Sequence, residues 1–110
     1  MGRFVKGDVV VIPFPFSDLS SSKRRPAFVL AESGGDDVIL CQITSQSVKD
    51  NQAITIELTD IKNGSLNTVS NIRPNKLFTA DERIIAYKVG ELCAGKINDV
   101  VQAVTKIIEK

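Results

Sequence analysis

The chain has 110 residues, of which 43% are hydrophobic and 25% are charged, and its net charge is +1. This length and composition predict one globular domain over residues 1–110 and exclude an intrinsically disordered chain. A net charge so close to zero also excludes nucleic-acid binding by the protein's overall field, so any such binding must come from a local patch.

Short β-branched segments separated by turn signals predict the first group of strands. A polar loop over 16–24 is longer than the usual hairpin connection, which is typical of a functional loop. The sequence SGGD at 33–36 is a tight-turn signal, so the second and third strands form a hairpin. Pro13 and Pro15 are expected to end the first strand or confine it to a sheet edge. The strands predicted here are 8–14, 26–32 and 37–44.

The second half of the chain predicts further strands and a terminal helix. Few apolar residues over 60–68 predict a loop, and Pro74 is expected to close the strand that precedes it. Apolar residues recur at three- and four-residue steps from Ile97 to Ile108, which predicts an amphipathic helix whose apolar stripe packs on the core. The strands predicted here are 53–58, 69–73, 77–79 and 84–89. This order of elements predicts a mainly β fold, a small and strongly curved antiparallel barrel or sheet.

Several classes of site and location are excluded by what the sequence lacks. No apolar run approaches the roughly 20 residues that span a bilayer, and the first residues do not resemble a signal peptide, so we expect a cytoplasmic protein. The chain has no histidine, and Cys41 and Cys93 lie far apart among apolar residues. We therefore expect no metal site, no redox pair and no cofactor.

The densest basic patch lies where the second strand begins. Lys23, Arg24 and Arg25 are adjacent, and Pro26 gives Arg25 a rigid base. The third strand ends at Thr44, which hydroxyl and amide groups follow. Cations beside neutral hydrogen-bonding groups suit a phosphate-bearing substrate. Taken alone, a charge run is more often a solvated loop end, Arg25 more often a surface ion pair, and Thr44 more often a strand residue.

Four segments, in order, carry a resemblance to a known family. They read KGDVV at 6–10, RPAFVL at 25–30, ITSQ at 43–46 and RPNKL at 73–77. These segments resemble the motifs of the MazF/PemK family, the ribonuclease toxins of type II toxin–antitoxin pairs, and the terminal helix falls where that family has one. The resemblance implies an SH3-like barrel of the kind shared with the gyrase poison CcdB.

The same resemblance implies an activity and its partners. It implies metal-independent, sequence-specific cleavage of single-stranded RNA, with mRNA as the expected substrate. It also implies a homodimer whose interface forms the RNA groove, and a cognate antitoxin that blocks the groove with an acidic tail.

By this resemblance, Arg25 and Thr44 match the family's catalytic arginine and threonine. Arg25 supplies a planar, permanently charged donor fork to phosphate oxygens, and Thr44 supplies a hydroxyl that donates and accepts. RNA carries its own nucleophile, the 2′-hydroxyl, so alignment and charge stabilisation can cleave it without a metal. The expected RNA-binding residues are Lys23, Arg24, Ser45, Gln46, Arg73 and Asn75.

Departures from the family pattern leave the general base open. In some branches a carboxylate follows the equivalent of Arg73 by two residues, whereas this chain has Asn75, whose amide cannot act as a base. A glutamate-containing loop of other branches is replaced here by serines, with Asp18 as the nearest carboxylate. The identity of the general base therefore stays open: Asp18 is a candidate, and no base is needed if alignment dominates. Arg73 can also be a structural ion-pair partner of Glu57 or Asp60.

Other functions remain open at this stage. A barrel of this kind can be a non-catalytic interaction module, either a topoisomerase poison like CcdB or a degenerate toxin that only binds its partner, and the presence of Asn75 favours this alternative. A nucleic-acid-binding SH3-like module without toxicity is disfavoured by the near-zero net charge. Phe14 and Phe16 flank the polar loop, where an aromatic ring can stack on a base, but at least one of them is expected in the core.

Overall fold

The computed structural model describes residues 4–14, 23–45 and 52–110. Within these ranges the chain forms seven strands, one helix and two short 3₁₀ turns, the turns at Leu58–Asp60 and Glu82–Ile84. The strands are β1 Asp8–Phe14, β2 Lys23–Glu32, β3 Asp37–Thr44, β4 Ile54–Ile56, β5 Ile61–Lys62, β6 Ser70–Asp81 and β7 Tyr87–Leu92, and the helix is α1 Ala94–Ile108.

The strands form one antiparallel sheet in the order β4-β6-β3-β2-β1-β7-β5. Each strand twists relative to the next, and over seven strands this curls the sheet into a nearly closed barrel. The predicted mainly β fold with a C-terminal helix is thereby confirmed.

Alternation along the strands sends side chains into two apolar clusters, one on each face of the sheet. We call them the first face and the second face. On the first face lie Val10, Ile12, Ala27, Val29, Val38 and Leu40, all buried. On the second face lie Val9, Phe28, Cys41, Ile43, Ile72 and Leu92, together with Val100 and Val104 of α1. The helix therefore packs on the second face, as its apolar stripe predicts, although Ile108 at its end is 71% exposed.

A turn before β1 accounts for the KGDVV segment. Gly7 has a φ of 101°, a left-handed conformation that favours glycine, and its N–H donates to the Val29 carbonyl oxygen at 2.9 Å. Asp8 is 2% exposed, and its carboxylate accepts the N–H of Val5 at 3.0 Å. Together these contacts fix the start of β1 against β2.

Pro13, Pro26 and Pro74 lie inside strands, and the ladders explain how Pro13 and Pro74 are tolerated. Pro13 pairs with Arg24 of β2, while the pairing of β1 with β7 has already ended at Val11. The prediction that Pro74 closes a strand was wrong. β6 runs through Pro74 as one strand, because the register shifts from Arg73 to Leu77 and leaves the proline in a bulge that needs no ladder hydrogen bond.

Three other sequence boundaries differ from the structure. The strand predicted at 53–58 is confined to Ile54–Ile56, because a 3₁₀ turn takes over at Leu58. The strand predicted at 84–89 begins later, at Tyr87, because the Asp81 carboxylate accepts the N–H of Arg83 and fixes a 3₁₀ turn before it. The loop predicted at 60–68 contains the two-residue β5, which pairs with β7.

Candidate functional site

The neighbouring strands β2 and β3 bring Arg25 and Thr44 to the same end of the sheet. The β2–β3 ladder ends at the pair Ala27 and Gln42, and Arg25 and Thr44 each lie two residues beyond it, at the same end of the two strands. Because side chains alternate along a strand, Arg25 and Thr44 belong to the first face, like Ala27.

Both residues line a cavity of about 580 Å³ at this end of the barrel. The cavity is lined by the ends of β1, β2 and β3, by residues 64–68, by Ser70 and by residues 87–89. Its size falls in the range of roughly 300–1,000 Å³ that is typical of ligand sites. Within the described part of the chain, no carboxylate lines it. The cavity therefore offers cations and neutral polar groups, as a site for an anionic ligand would.

The cations that line the cavity differ in their own partners. Lys88 Nζ lies 3.0 Å from Glu91 Oε2 and 3.3 Å from Asp8 Oδ1, and these contacts, Glu91 first, raise the pKa of Lys88. Neither Arg24 nor Arg25 has a carboxylate within ion-pair distance among residues 4–14, 23–45 and 52–110. The charge of Lys88 is thus matched inside the protein, whereas within the described part of the chain Arg24 and Arg25 line the cavity without a carboxylate partner.

Thr44 is held between strands on both sides. It is 9% exposed, and it lies opposite Asn71 of β6. Asn71 also lies opposite Thr55 of β4, whose Oγ1 donates to Asn71 Oδ1 at 3.0 Å. A row of cross-strand neighbours therefore fixes the position of Thr44.

The other predicted RNA-binding residues fall into separate groups. Arg24 and Ser45 line the cavity. Arg73 is half-buried opposite Gln42, on the first face and next to the position of Thr44, but it does not line the cavity. Asn75 is exposed in the bulge of β6 and does not line it either.

Several sequence predictions fall outside the described residues. Gln46, the alternative base Asp18 and the aromatic Phe16 lie in segments beyond the described ranges, and so do the side chains of Lys23 and Phe14. The alternative in which Arg25 forms a surface ion pair has no carboxylate partner within the described part of the chain. Asp60, named above as an ion-pair partner of Arg73, has Lys96 Nζ at 4.0 Å from its Oδ2.

Sequence reasoning missed one wall of the cavity. This wall consists of residues 64–68 and of Tyr87, the single tyrosine of the chain, which is 53% exposed. A Cβ at Gly64 would lie 1.7 Å from the Val89 carbonyl oxygen, so the segment reaches β7 only because residue 64 is glycine. The Asn63-Gly64 pair signals a turn, but nothing local in the sequence indicates which strand the turn approaches.

Two searches of the described residues gave negative results. No helix within them is long and apolar enough to cross a membrane. Nor do those residues contain a group of three or more cysteine, aspartate or glutamate side chains placed to hold a metal ion.

Comparison with known families decides the relationship. Residues 5–108 match the family of PemK-like, MazF-like toxins of type II toxin–antitoxin systems. The chain belongs to this family. The MazF/PemK-like match covers almost the whole chain and all four motif segments, and it confirms the family predicted from them.

Solved structures agree with the MazF/PemK-like family at the level of the fold. The chain is similar to MazF of a MazE–MazF complex from Deinococcus radiodurans, with 17% identity, coverage of 96% of each chain and a TM-score of 0.78. It is similar to a mycobacterial endoribonuclease in complex with its cognate antitoxin, with 11% identity, coverage of 97% of this chain and 96% of that chain, and a TM-score of 0.75. It is also similar to Mycobacterium tuberculosis toxin MazF-mt6, with 14% identity, coverage of 93% and 96%, and a TM-score of 0.73. A search of curated protein sequences found no match.

Proposed function

We propose that this MazF/PemK-like chain is a toxin endoribonuclease that cleaves single-stranded RNA, mRNA in the cell, at specific sequences and without a metal ion. The observation that carries the proposal is the placement of Arg25 and Thr44 at one end of neighbouring strands, lining one cavity. The similarity to a mycobacterial endoribonuclease supports the reaction class. The family match supports the toxin role.

In the proposed reaction, the ribose 2′-oxygen attacks the adjacent phosphorus. The bond from phosphorus to the 5′-oxygen of the next nucleotide breaks, which leaves a 2′,3′-cyclic phosphate and a 5′-hydroxyl. The 2′-hydroxyl gives its proton to solvent, and the departing 5′-oxygen takes one from solvent. Arg25 binds the phosphate oxygens and stabilises the negative charge that builds on them. Thr44 orients the reacting groups through its hydroxyl.

The described cavity assigns no residue to general base catalysis. No carboxylate lines it, and the chain has no histidine. The cavity's own contribution is therefore alignment and charge stabilisation. Asp18 is left as the candidate base from the sequence.

Binding of the RNA chain extends beyond the two catalytic residues. We assign Arg24 and Ser45 to the backbone next to the cleaved phosphate, because both line the cavity and Arg24 has no carboxylate partner among the described residues. Lys23 and Gln46 follow from the sequence as further contacts. Arg73 and Asn75 would contact RNA that continues past the cavity along β6.

The partners proposed for the chain follow from its relatives. A mycobacterial endoribonuclease was solved with its cognate antitoxin, and a Deinococcus radiodurans MazF was solved with MazE. We accordingly propose a cognate antitoxin with an acidic tail, which the two unmatched arginines would attract. We also propose a homodimer that forms the RNA groove and acts in the cytoplasm.

The first experiment incubates purified protein with a long single-stranded RNA in EDTA, beside Arg25→Ala and Thr44→Ala. We expect discrete fragments that end in 2′,3′-cyclic phosphate. Loss of a transition-state donor typically costs about 10²–10³ in rate, so Arg25→Ala is expected to slow cleavage by at least that factor. Thr44→Ala is expected to slow cleavage as well, with the midpoint of thermal unfolding showing whether each variant is folded.

Matched controls show whether slower cleavage results from a change in the cavity or from the removal of an arginine or threonine anywhere on the surface. Arg83→Ala removes a surface arginine whose partner is Asp81, and Thr79→Ala removes an exposed β6 hydroxyl, and both lie outside the cavity. Both are expected to cleave like the parent. Intact RNA with the folded parent protein would contradict the proposal and favour the non-catalytic interaction module. Unfolding of Arg25→Ala would favour a structural role for that arginine.

A further inference from the structure

The cavity has a second half that the proposed reaction does not use. Arg25 and Thr44 belong to the first face, whereas Val11, Pro26 and Ile43 line the cavity from the second face. Ile43 is fully buried, and Val11 is 9% exposed. This side of the cavity therefore has an apolar floor beside a cationic rim.

Tyr87 lies in the strand next to that floor and lines the same cavity. Val11 pairs with Pro26 on one side and with Tyr87 on the other. The backbones of Tyr87 and Pro26 are thus two strand spacings apart, roughly 10 Å, and Pro26 directly follows Arg25. Tyr87 lines the cavity and is 53% exposed, so its ring is accessible to a ligand.

Polar groups of residues 65–68 complete the rim. The Thr68 hydroxyl donates to the Val69 carbonyl oxygen at 3.5 Å. The Ser65 hydroxyl and the Asn67 amide make no hydrogen bond to another residue of the described ranges. Asn67 carries both donors and an acceptor, as needed to pair with the edge of a base. Leu66 is half-buried between them and packs towards the second-face cluster.

We propose that Tyr87, Leu66 and Asn67 form a nucleobase subsite beside the phosphate site of Arg24 and Arg25. The base of an unpaired nucleotide stacks on the Tyr87 ring over the apolar floor, and the Asn67 amide contacts its edge. Base stacking on aromatic side chains and hydrogen bonding to unpaired base edges are how proteins read single-stranded RNA. The inference rests on the proposed function, because it assigns a subsite of the same cavity.

The composition of the chain makes the stacking directly observable. Tyr87 is the only tyrosine and there is no tryptophan, so the tyrosine fluorescence of the protein comes from this one ring. The test titrates the protein with a mixed-sequence single-stranded 2′-O-methyl RNA oligonucleotide, which lacks the nucleophilic hydroxyl and is not cleaved. A second titration uses an abasic sugar–phosphate oligomer of equal length. In a parallel titration, free tyrosine amide replaces the protein, and its loss of fluorescence measures the light that the oligonucleotide absorbs. Binding of dye-labelled oligonucleotides is followed separately by anisotropy.

We expect the base-containing oligonucleotide to quench the fluorescence saturably, and the abasic oligomer to bind more weakly without quenching. By anisotropy, Tyr87→Ala is expected to weaken binding about 5- to 100-fold, because one stacked base contributes that much affinity. Tyr87→Phe, which keeps the ring, is expected to bind within about twofold of the parent. Ile84→Ala removes a side chain of similar exposure outside the cavity, and it is expected to bind like the parent.

Two results would overturn the subsite and leave the proposed function standing. One is binding without quenching. The other is equal quenching by the abasic oligomer, which would assign the cavity to the backbone alone. If the parent neither binds the oligonucleotide nor cleaves a long RNA in EDTA, the subsite and the proposed function fail together. If Asn67→Ala changes the relative affinities for oligo(U) and oligo(A) in anisotropy, the amide reads the base edge, and unchanged ratios would remove Asn67 from the subsite.

Discussion

At the scale of single residues, Asp8 connects the fold to the cavity. Its side chain is 3% exposed, and it serves both as acceptor for the Val5 N–H and as a partner of Lys88. Asp8→Ala leaves the part-buried Val5 N–H without its acceptor and Lys88 without one of its two carboxylates. We expect the free energy of unfolding to fall by about 1–3 kcal/mol, measured by chemical denaturation at pH 7.

The control for this prediction is Asp99→Ala, which removes an exposed aspartate in the middle of α1. That change is expected to alter the free energy of unfolding by less than about 0.5 kcal/mol. Asp8→Asn retains an oxygen that accepts the Val5 N–H, so it should recover part of the loss.

The pH dependence of the same contact follows from Lys88. The pKa of Lys88 is raised by Glu91 and Asp8, so the ion pair stabilises the protein below the usual pKa of lysine and is lost as pH rises through the raised value. The difference between the parent and Asp8→Asn should therefore be constant from pH 7 to pH 9 and shrink in stronger base. A difference that disappears near neutral pH would contradict this account.

At the scale of elements, Gly64 controls the wall formed by residues 65–68. A Cβ there would lie 1.7 Å from the Val89 carbonyl oxygen and 2.9 Å from Gly90 Cα, and these backbone atoms cannot rotate away. Gly64→Ala is expected to displace the wall from β7 and to destabilise the protein by about 1–3 kcal/mol, as overpacking does. Oligonucleotide affinity measured by anisotropy should fall with it.

The matched control is a glycine with open space around it. Gly95 lies in the first turn of α1, and an added Cβ would meet nothing within 4 Å. Gly95→Ala is expected to stabilise the protein by up to about 1 kcal/mol, because alanine is the better helix former. If Gly64→Ala matched Gly95→Ala in thermal unfolding and in binding, the close approach of residue 64 to β7 would matter neither for stability nor for oligonucleotide affinity.

Elements also show how far sequence reasoning extends. Strands β1, β2 and β3 and the apolar stripe of α1 follow from local alternation and periodicity, and so does the placement of Arg25 and Thr44 at strand ends. The strand end predicted at Pro74 was wrong because a strand can contain a proline where a bulge leaves it out of the ladder. A bulge depends on how two strands pair, so it cannot be recognised from the sequence of one strand. Tyr87 was missed for the same kind of reason, since its neighbour across Val11 is set by the long-range pairing of β1 with β7.

At the scale of the whole molecule, a net charge of +1 means that attraction for RNA must come from local cations, foremost Arg24 and Arg25 of the cavity. Arg24, Arg25 and Lys23 can neutralise two or three phosphates, so the logarithm of the binding constant should fall with the logarithm of salt concentration at a slope of about −1.4 to −2.1. Arg24→Gln should make the slope less steep by about 0.7, measured by anisotropy with a non-cleavable oligonucleotide. Arg83→Gln, outside the cavity, should leave it unchanged. A slope steeper than about −4 would mean that RNA follows a much longer cationic surface.

Because β1 pairs with β7, the cavity can form only at a late point in the synthesis of the chain. The ribosome makes Arg25 and Thr44 early, but the ring of Tyr87 and the β7 backbone against which Gly64 packs come only in the last quarter of the chain. A nascent chain that has not yet released β7 from the ribosome cannot close this end of the barrel. The complete cavity can therefore form only after β7 has left the ribosome, later than the strands that carry Arg25 and Thr44.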